Sequence, residues 1–157
     1  KHHKTGEKLP SELRDKLVSA RNYQAGFALV RQVEFGLFDM LIHMKKMDEA
    51  EVQKTLDEVR KEVSVIIPPA YNKFQNGFSH IFSGGYAAGY YSYKGAEMLS
   101  SDAYCAFDEK GIFNKGLAER YANTVLALGA SKKMDEIYRD FLGKDPDPEA
   151  ILRLAGL

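Results

Sequence analysis

Apolar residues recur at intervals of three and four along almost the whole chain, and alternation with a period of two is rare. Residues three and four apart share one face of a helix, so this spacing predicts amphipathic helices and not strands. Glycine and proline interrupt the pattern at short breaks and separate the helical segments from one another. The sequence therefore predicts one all-α domain of about seven helices that extends over residues 1–157.

The segment from Tyr23 to Met44 is predicted to be the central helix. Its apolar residues surround the helix instead of forming a stripe, which predicts burial on most sides. Arg31, Glu34 and Asp39 would then lie in or beside a core, where a charged side chain needs a partner. We expect these three charges to serve structural pairing.

Cap residues predict where other helices begin. Asp48 and Glu51 match a capping box at the start of the third helix, and the charges that follow, Arg60 among them, are expected on its solvated outer face. Further side-chain caps are expected at Ser11, Asn114 and Ser131. In the helix that follows Ser11, the residues expected to point inward are Leu13, Leu17 and Val18.

Composition excludes several classes of partner. Lys and Arg together number 22, as do Asp and Glu, so no net charge draws the chain to nucleic acid or to an anionic membrane. No apolar run approaches the ~20 residues that a membrane-spanning helix needs. Cys105 is the only cysteine, which excludes an internal disulfide and favours a reducing, cytoplasmic location. Because the chain does not begin with methionine, we expect it to be a piece of a longer protein.

The stretch from His80 to Tyr93 has the most unusual composition in the chain. Its histidine is followed by two adjacent glycines and then by four tyrosines within eight residues. The connection over residues 68–82, which leads to His80, has no regular period, and such loops are often functional or mobile. At helical spacing, the residues that share one face are Tyr86, Tyr90, Tyr93 and Glu97. A tyrosine-rich core helix with a loop before it is the alternative that spacing alone leaves open.

Several familiar catalytic motifs are absent. The sequence contains no Gly-x-x-x-x-Gly-Lys-Ser/Thr, no Gly-x-Ser-x-Gly and no zinc-binding His-Glu-x-x-His. His2 and His3 are expected to be solvated, and His43 to be satisfied at the end of its helix. His80 is therefore the histidine whose setting favours a functional role.

The segment from Phe78 to Tyr93 resembles the C-terminal signature of the thimet-oligopeptidase family of zinc metallopeptidases. Its nearest match is the branch that contains bacterial oligopeptidase A and dipeptidyl carboxypeptidase. The resemblance covers essentially the whole chain, because other segments match the same part of the family in the same order. These segments are Thr5-Gly6, Leu9-Pro10, Asn22–Ala25, Arg31-Gln32, Glu34–Asp39, Gly111–Asn114 and Phe141–Pro146.

The resemblance implies that this chain is the C-terminal helical part of a larger enzyme. In the family, a His-Glu-x-x-His helix and a distant glutamate hold the zinc, and both lie upstream of the part matched here. Zinc would polarise the scissile carbonyl of a short peptide while a glutamate activates water. This chain would form one wall of the substrate channel, bind no metal itself and be inactive alone.

The resemblance also assigns roles to individual residues. Those expected to contact the substrate backbone and the developing oxyanion, and so to be catalytic, are His80, Tyr86 and Tyr93. The residues expected to bind substrate are Gly84, Gly85 and Tyr90. The two glycines match a family loop that is thought to move when peptide binds. Tyr91 points elsewhere on the predicted helix and is expected to be packed.

Lys94 and Gly95 depart from the family pattern, as does Ala130 more mildly, and two functional classes stay open. Lys94 and Gly95 stand where the family usually has Leu-Trp, which puts the packing behind the tyrosines in doubt. The chain is either part of a peptidase, with short peptides and the upstream half as partners, or a non-catalytic helical module that binds peptides or acts as a scaffold. Without an upstream half, an exposed apolar face should make the isolated chain self-associate.

Overall fold

The computed structural model describes all 157 residues and contains helices but no strands. The helices in chain order are α1 (Ser11–Ala20), α2 (Ala25–His43), α3 (Glu49–Val63), α4 (Phe74–Gly77), a 3-10 turn (Ser79–Ile81), α5 (Ser92–Lys110), α6 (Lys115–Tyr121), a π-helical turn (Ala122–Leu126), α7 (Met134–Leu142) and α8 (Ala150–Ala155). Because α4 is a single turn, seven longer α-helices remain. The predicted all-α class is confirmed. No helix combines the length and the apolar character that crossing a membrane requires.

The larger of two core clusters lies where α2 packs against α3. Its buried side chains are Phe38, Ile42, Leu56, Val59, Phe78 and Ile81. The last two come from the connection over residues 68–82, which therefore contributes anchors to the core as well as leading to His80. Between Arg31 and Ile42 of α2, every residue except Val33 and Met40 is buried or half-buried, and Phe27 is exposed near the start of the helix. The expectation that this helix is buried on most sides is confirmed for that part of it.

Glu34 joins α2 to α3 through a buried ionic network. Its carboxylate, 1% exposed, accepts hydrogen bonds from Arg31 (2.7 Å), Arg60 (3.1 Å) and Ser64 (2.7 Å). Burial by itself raises the pKa of Glu34, but these donors outweigh it, and the pKa lies below its ordinary value. Structural pairing is thus confirmed. Arg60, however, is buried and not on the outer face of α3, because Glu34 and Asn72 both accept hydrogen bonds from its guanidinium.

The smaller core cluster lies in the C-terminal third of the chain. Its members, from α5, α6 and α7, are Ala103, Leu117 and Phe141. Beside it, the carboxylate of Asp102 is 2% exposed and accepts hydrogen bonds from the Tyr138 hydroxyl (2.8 Å), the Lys144 ammonium (2.9 Å) and the Asp147 amide (2.9 Å). Asp102 thereby ties α5 to α7 and to the segment before α8.

The capping predictions have mixed outcomes. Asp48 and Glu51 form the predicted capping box, and the side chain of Asn114 accepts a hydrogen bond from the Leu117 amide at 3.0 Å. The Ser11 and Ser131 caps are wrong: α1 has no side-chain cap, and α7 begins three residues beyond Ser131, after Lys133.

The apolar side of α1 is exposed, contrary to the expectation that it points inward. The helix has no buried residue, and Leu13, Leu17 and Val18 are 49%, 64% and 66% exposed. The physical reason is that no other element of this chain covers that side of α1. The spacing does produce an amphipathic helix, but its apolar side faces solvent in this structure.

Candidate functional site

The stretch from His80 to Tyr93 is not one helix. Helix α5 begins at Ser92, and the residues before it form a turn in which Ala88 adopts a left-handed φ of 53°. The prediction that Tyr86, Tyr90, Tyr93 and Glu97 line a continuous helix is therefore wrong. An alanine with positive φ is sterically unfavourable, so local propensity does not explain the turn, and contacts with another part of the chain have to hold it.

The turn nevertheless brings the predicted rings together. The centroids of Tyr86 and Tyr93 are 4.9 Å apart, and those of Tyr90 and Tyr93 are 5.1 Å apart. The imidazole of His80 lies 6.4 Å from the Tyr86 ring and 6.1 Å from the Tyr90 ring. We call these four side chains the aromatic cluster.

The aromatic cluster faces outward. Tyr86 is 37% exposed and Tyr93 is 42% exposed, His80 is exposed, and Tyr90 is half-buried against the core. The alternative of a tyrosine-rich core helix does not describe this arrangement, because three of the four side chains are open to solvent. A ligand that approached this face could reach the imidazole and two phenols at once.

The loop before the cluster requires its two glycines. The carbonyl of Ser79 accepts hydrogen bonds from three amides, those of Phe82, Ser83 and Gly84, which winds the loop tightly around His80. A side chain at Gly84 would place its Cβ 2.8 Å from the Cα of His80, closer than real Cβ atoms approach. Gly85 has a φ of 82°, which favours glycine. Gly84 thus permits the close approach of the backbone to His80, and Gly85 permits the left-handed turn that follows.

Tyr90 differs from the other two phenols. Its hydroxyl donates a hydrogen bond to Oε1 of Gln32 at 3.0 Å, and its ring meets those of Phe35 and Phe78 edge-on. Burial raises the pKa of Tyr90. With its proton already engaged by α2, Tyr90 can offer a ligand its ring but not its O–H.

Tyr93 keeps its proton under ordinary conditions. The neighbouring Tyr86 phenol raises the pKa of Tyr93, and burial and the charge of Tyr90 act in the same direction. A phenol that is neutral at physiological pH is a hydrogen-bond donor. Tyr93 therefore presents a hydroxyl donor and not a phenolate.

Helix α2 is the platform on which the turn rests. The Asp39 carboxylate, fully buried, accepts hydrogen bonds from the amides of Ala88 and Tyr90, both at 2.9 Å. Gly36, one turn earlier on α2, lies against the same turn: a Cβ at this position would be 3.5 Å from the Cα of Tyr91, which is ordinary van der Waals contact. Nδ1 of His43 lies 2.9 Å from Oδ1 of Asp39 and 2.8 Å from its carbonyl oxygen. His43 is thus satisfied, as predicted.

Sequence reasoning missed the part that α2 plays in the site. Asp39 was expected to need a partner, and it has two backbone amides some fifty residues later in the chain. The available signal was a lone carboxylate within an apolar helix. Gln32 carried no such signal, because a glutamine on a half-buried face needs no explanation.

Residues around the cluster complete its outer edge. Tyr91 is 61% exposed, so the expectation that it is packed is wrong: its backbone contacts Gly36 while its side chain points to solvent. Lys94 forms an ion pair with Glu97 on the first turns of α5. At Gly95, which departs from the family pattern, an added Cβ would have no neighbouring atom within 4 Å, so the space beside this residue is open.

Other cavities lie away from the cluster. One of about 300 Å³ lies between α2 and the segment after α3 and is lined by Phe27, Val30, Arg31, Glu34, Ser64, Val65, Ile66 and Pro68. Another, of about 190 Å³ and mostly apolar, lies between α5, the π-helical turn and α7. Neither is lined by any member of the aromatic cluster, which is an open face.

The chain also lacks a set of side chains suited to a metal. No three or more His, Cys, Asp or Glu side chains are placed to hold an ion together. The residues present therefore do not fit the zinc that the family resemblance implies for the whole enzyme.

Comparison with known proteins decides the family. The model of peptidase family M3 matches residues 1–157. The chain belongs to peptidase family M3. Among its relatives, oligopeptidase A of Salmonella typhimurium is 44% identical over 99% of this chain and 23% of that protein. The family resemblance noted from the motifs is confirmed.

Two further relatives show how widely the likeness extends. The probable cytosolic oligopeptidase A of Arabidopsis thaliana is 44% identical over 100% of this chain and 23% of that protein. Dipeptidyl carboxypeptidase of Escherichia coli is 32% identical over 100% of this chain and 24% of that protein. The M3 chain described here thus spans less than a quarter of the length of the curated relatives it matches.

Proposed function

We propose that this M3 chain is the substrate-binding and transition-state-stabilising part of a zinc-dependent oligopeptidase that hydrolyses peptide bonds in short peptides. The observation that carries the proposal is the pairing of Tyr86 and Tyr93 beside His80 on an exposed face. Membership of a peptidase family supports it. The cytoplasmic location predicted from the single cysteine is part of the same proposal.

The two exposed phenols and the imidazole supply hydrogen bonds where charge develops. When water adds to a peptide carbonyl, the oxygen becomes an oxyanion, and donors placed in advance stabilise that state more than the ground state. Tyr93, whose raised pKa keeps its proton in place, is such a donor. The Tyr86 ring lies 4.9 Å from that of Tyr93 and supplies a second hydroxyl. His80 would contact the neighbouring peptide backbone.

Tyr90 and the glycine loop serve binding. The Tyr90 hydroxyl is engaged by Gln32, so its ring forms the wall of a subsite and contributes shape without donating to the substrate. Gly84 and Gly85 expose backbone beside His80, where a bound peptide could approach closely. Movement of this loop on peptide binding is the expectation carried over from the family.

The rest of the enzyme has to supply the metal. Because the side chains of this chain do not fit a zinc site, the zinc ligands and the second wall of the channel would lie outside these residues. The isolated chain is therefore expected to be inactive. The remaining part could dock on two exposed apolar surfaces. One is the apolar side of α1, and the other is the loop between α5 and α6, where Phe113 is 96% exposed.

The test compares the full-length protein with the isolated chain. Both are incubated with a set of internally quenched short peptides of differing length and sequence. We expect hydrolysis by the full-length protein alone and none by the isolated chain. A full-length protein that binds these peptides without cleaving any would overturn the peptidase proposal and support the non-catalytic peptide-binding module instead.

A further inference from the structure

Asp39 is the residue through which α2 holds the turn that carries the tyrosines. Each oxygen of its carboxylate accepts one amide of the turn, from Ala88 and from Tyr90. The side chain is fully buried, and the sequence separation to its partners is 49 and 51 residues. A buried carboxylate at this position is costly unless both oxygens are satisfied, so the turn and the carboxylate depend on each other.

Backbone hydrogen bonds link this turn to the residues that carry the two exposed phenols, Tyr86 and Tyr93. The carbonyl of Tyr86 accepts from the amide of Gly89 at 2.8 Å, between the two amides that Asp39 holds. The carbonyl of Tyr90 accepts from the amide of Tyr93 at 3.2 Å. The backbone on either side of the turn is therefore fixed relative to the point where the carboxylate binds.

We propose that Asp39 is a positioning residue, which fixes the turn over residues 86–93 on α2 and thereby sets the mutual placement of the Tyr86 and Tyr93 hydroxyls. His43 supports it from the next turn of α2, because its Nδ1 hydrogen-bonds the Asp39 carbonyl oxygen at 2.8 Å and lies 2.9 Å from Oδ1 of the same residue. Asp39 touches no reacting atom and acts through the tyrosines. The kinetic part of this proposal rests on the proposed peptidase function, whereas the structural part does not.

A carboxylate is required because two acceptors are required. Asp39→Asn has the same shape, but one of its terminal atoms becomes an NH2 group, which donates and cannot accept. One of the two turn amides would then face another donor. The left-handed Ala88 would lose half of what holds it in an unfavourable conformation.

Hydrogen–deuterium exchange in the full-length protein tests the structural part. Asp39→Asn should speed exchange of the amides over residues 86–93 by roughly tenfold, because a hydrogen bond to a charged acceptor is lost. The matched control is Asp102→Asn, another buried carboxylate that accepts a backbone amide, that of Asp147. It should speed exchange near residue 147 and leave residues 86–93 unchanged. If Asp39→Asn does not fold, His43→Leu, which removes the imidazole beside the Asp39 carboxylate, should raise exchange in the same segment to a smaller extent.

Peptide hydrolysis tests the kinetic part. In Asp39→Asn, kcat should fall by roughly tenfold to a hundredfold, the usual effect of misplacing a catalytic group by about 1 Å, with a smaller change in KM. Asp102→Asn should keep kcat within about a factor of two. Adding Tyr93→Phe to Asp39→Asn should lower kcat by less than the product of the two single effects, because both changes remove the same interaction.

A suppressor variant gives a second, independent arm. Ala88→Gly, in the Asp39→Asn background, should recover kcat by roughly fivefold, since glycine adopts the left-handed conformation without steric penalty. Unchanged exchange over residues 86–93 in both Asp39→Asn and His43→Leu would overturn the proposal, as would equal kinetic losses in Asp39→Asn and Asp102→Asn. If the wild-type protein has no peptidase activity, the proposed function is wrong. The exchange measurement alone then tests whether Asp39 fixes the turn.

Discussion

The rings of Tyr86 and Tyr93 lie 4.9 Å apart, one before the turn that precedes α5 and the other in the first turn of that helix. They meet because the chain between them bends at a left-handed Ala88. The three predicted phenols thus converge by a route that differs from the helix expected.

Tyr90→Phe should have little effect on turnover. The variant keeps the ring that packs against Phe35 and Phe78 and removes only the hydroxyl that donates to Gln32. We expect a loss of about 1 kcal/mol in the free energy of unfolding, the usual value of a neutral hydrogen bond. In steady-state kinetics kcat should stay within about a factor of three of the wild type. A hundredfold loss would mean that the Tyr90 O–H, and not its ring, serves the reaction.

Gly84→Ala should disrupt the loop around His80. The added Cβ would lie 2.8 Å from the Cα of His80, and because the clash is with backbone, relieving it requires a shift of the loop. We expect the variant to lose about 1–3 kcal/mol of stability and to show a raised KM for peptides, measured by thermal unfolding and steady-state kinetics. The matched control is Gly95→Ala, where nothing lies within 4 Å of the new Cβ. That change in a helix should stabilise by about 0.5–1 kcal/mol. Equal effects of the two alanines would contradict the close approach at Gly84.

Sequence reasoning succeeded where structure is decided locally. The capping box at Asp48 needs only residues within one turn, and the pairing of Glu34 followed from a carboxylate in an apolar helix. It failed where distant contacts decide. Nothing near Ala88 indicates a left-handed residue, since its conformation depends on Asp39, 49 residues earlier. The burial of Arg60 likewise depends on Glu34, 26 residues earlier.

Glu34→Gln should destabilise the α2–α3 core by about 3 kcal/mol, because it leaves the buried guanidinium of Arg60 without its charged partner. The effect would appear as a lowered midpoint in urea denaturation at neutral pH. A change of less than about 0.5 kcal/mol, the range of ordinary surface substitutions, would contradict a buried ionic network at this position.

Glu34 should also give stability a defined pH dependence. Its pKa is lowered in the folded state, so the stability that it contributes is present above the ordinary pKa of 4.5 and is lost as the pH falls through the lowered value. The melting temperature of the wild type should therefore fall below pH 4.5. Glu34→Gln should show a shallower decline over that range, and parallel curves would contradict the assignment.

The isolated chain should self-associate. Leu13, Leu17 and Val18 expose one apolar side of α1, and no element of this chain covers it. Light scattering at increasing concentration should show a rising average mass, which Leu13→Glu with Leu17→Glu should reduce. A single monomeric mass at high concentration would show that this surface is not adhesive.

The central claim is that exposed phenol and imidazole donors of this chain stabilise a transition state. The most direct measurement is kcat of the full-length protein on one short peptide for Tyr93→Phe and His80→Ala, with Tyr91→Phe as the control. Tyr91 is the neighbouring exposed phenol outside the aromatic cluster. The account predicts losses on the order of 10²–10³ in kcat for Tyr93→Phe, a comparable loss for His80→Ala and near-normal turnover for Tyr91→Phe. Near-normal turnover in both Tyr93→Phe and His80→Ala would contradict it.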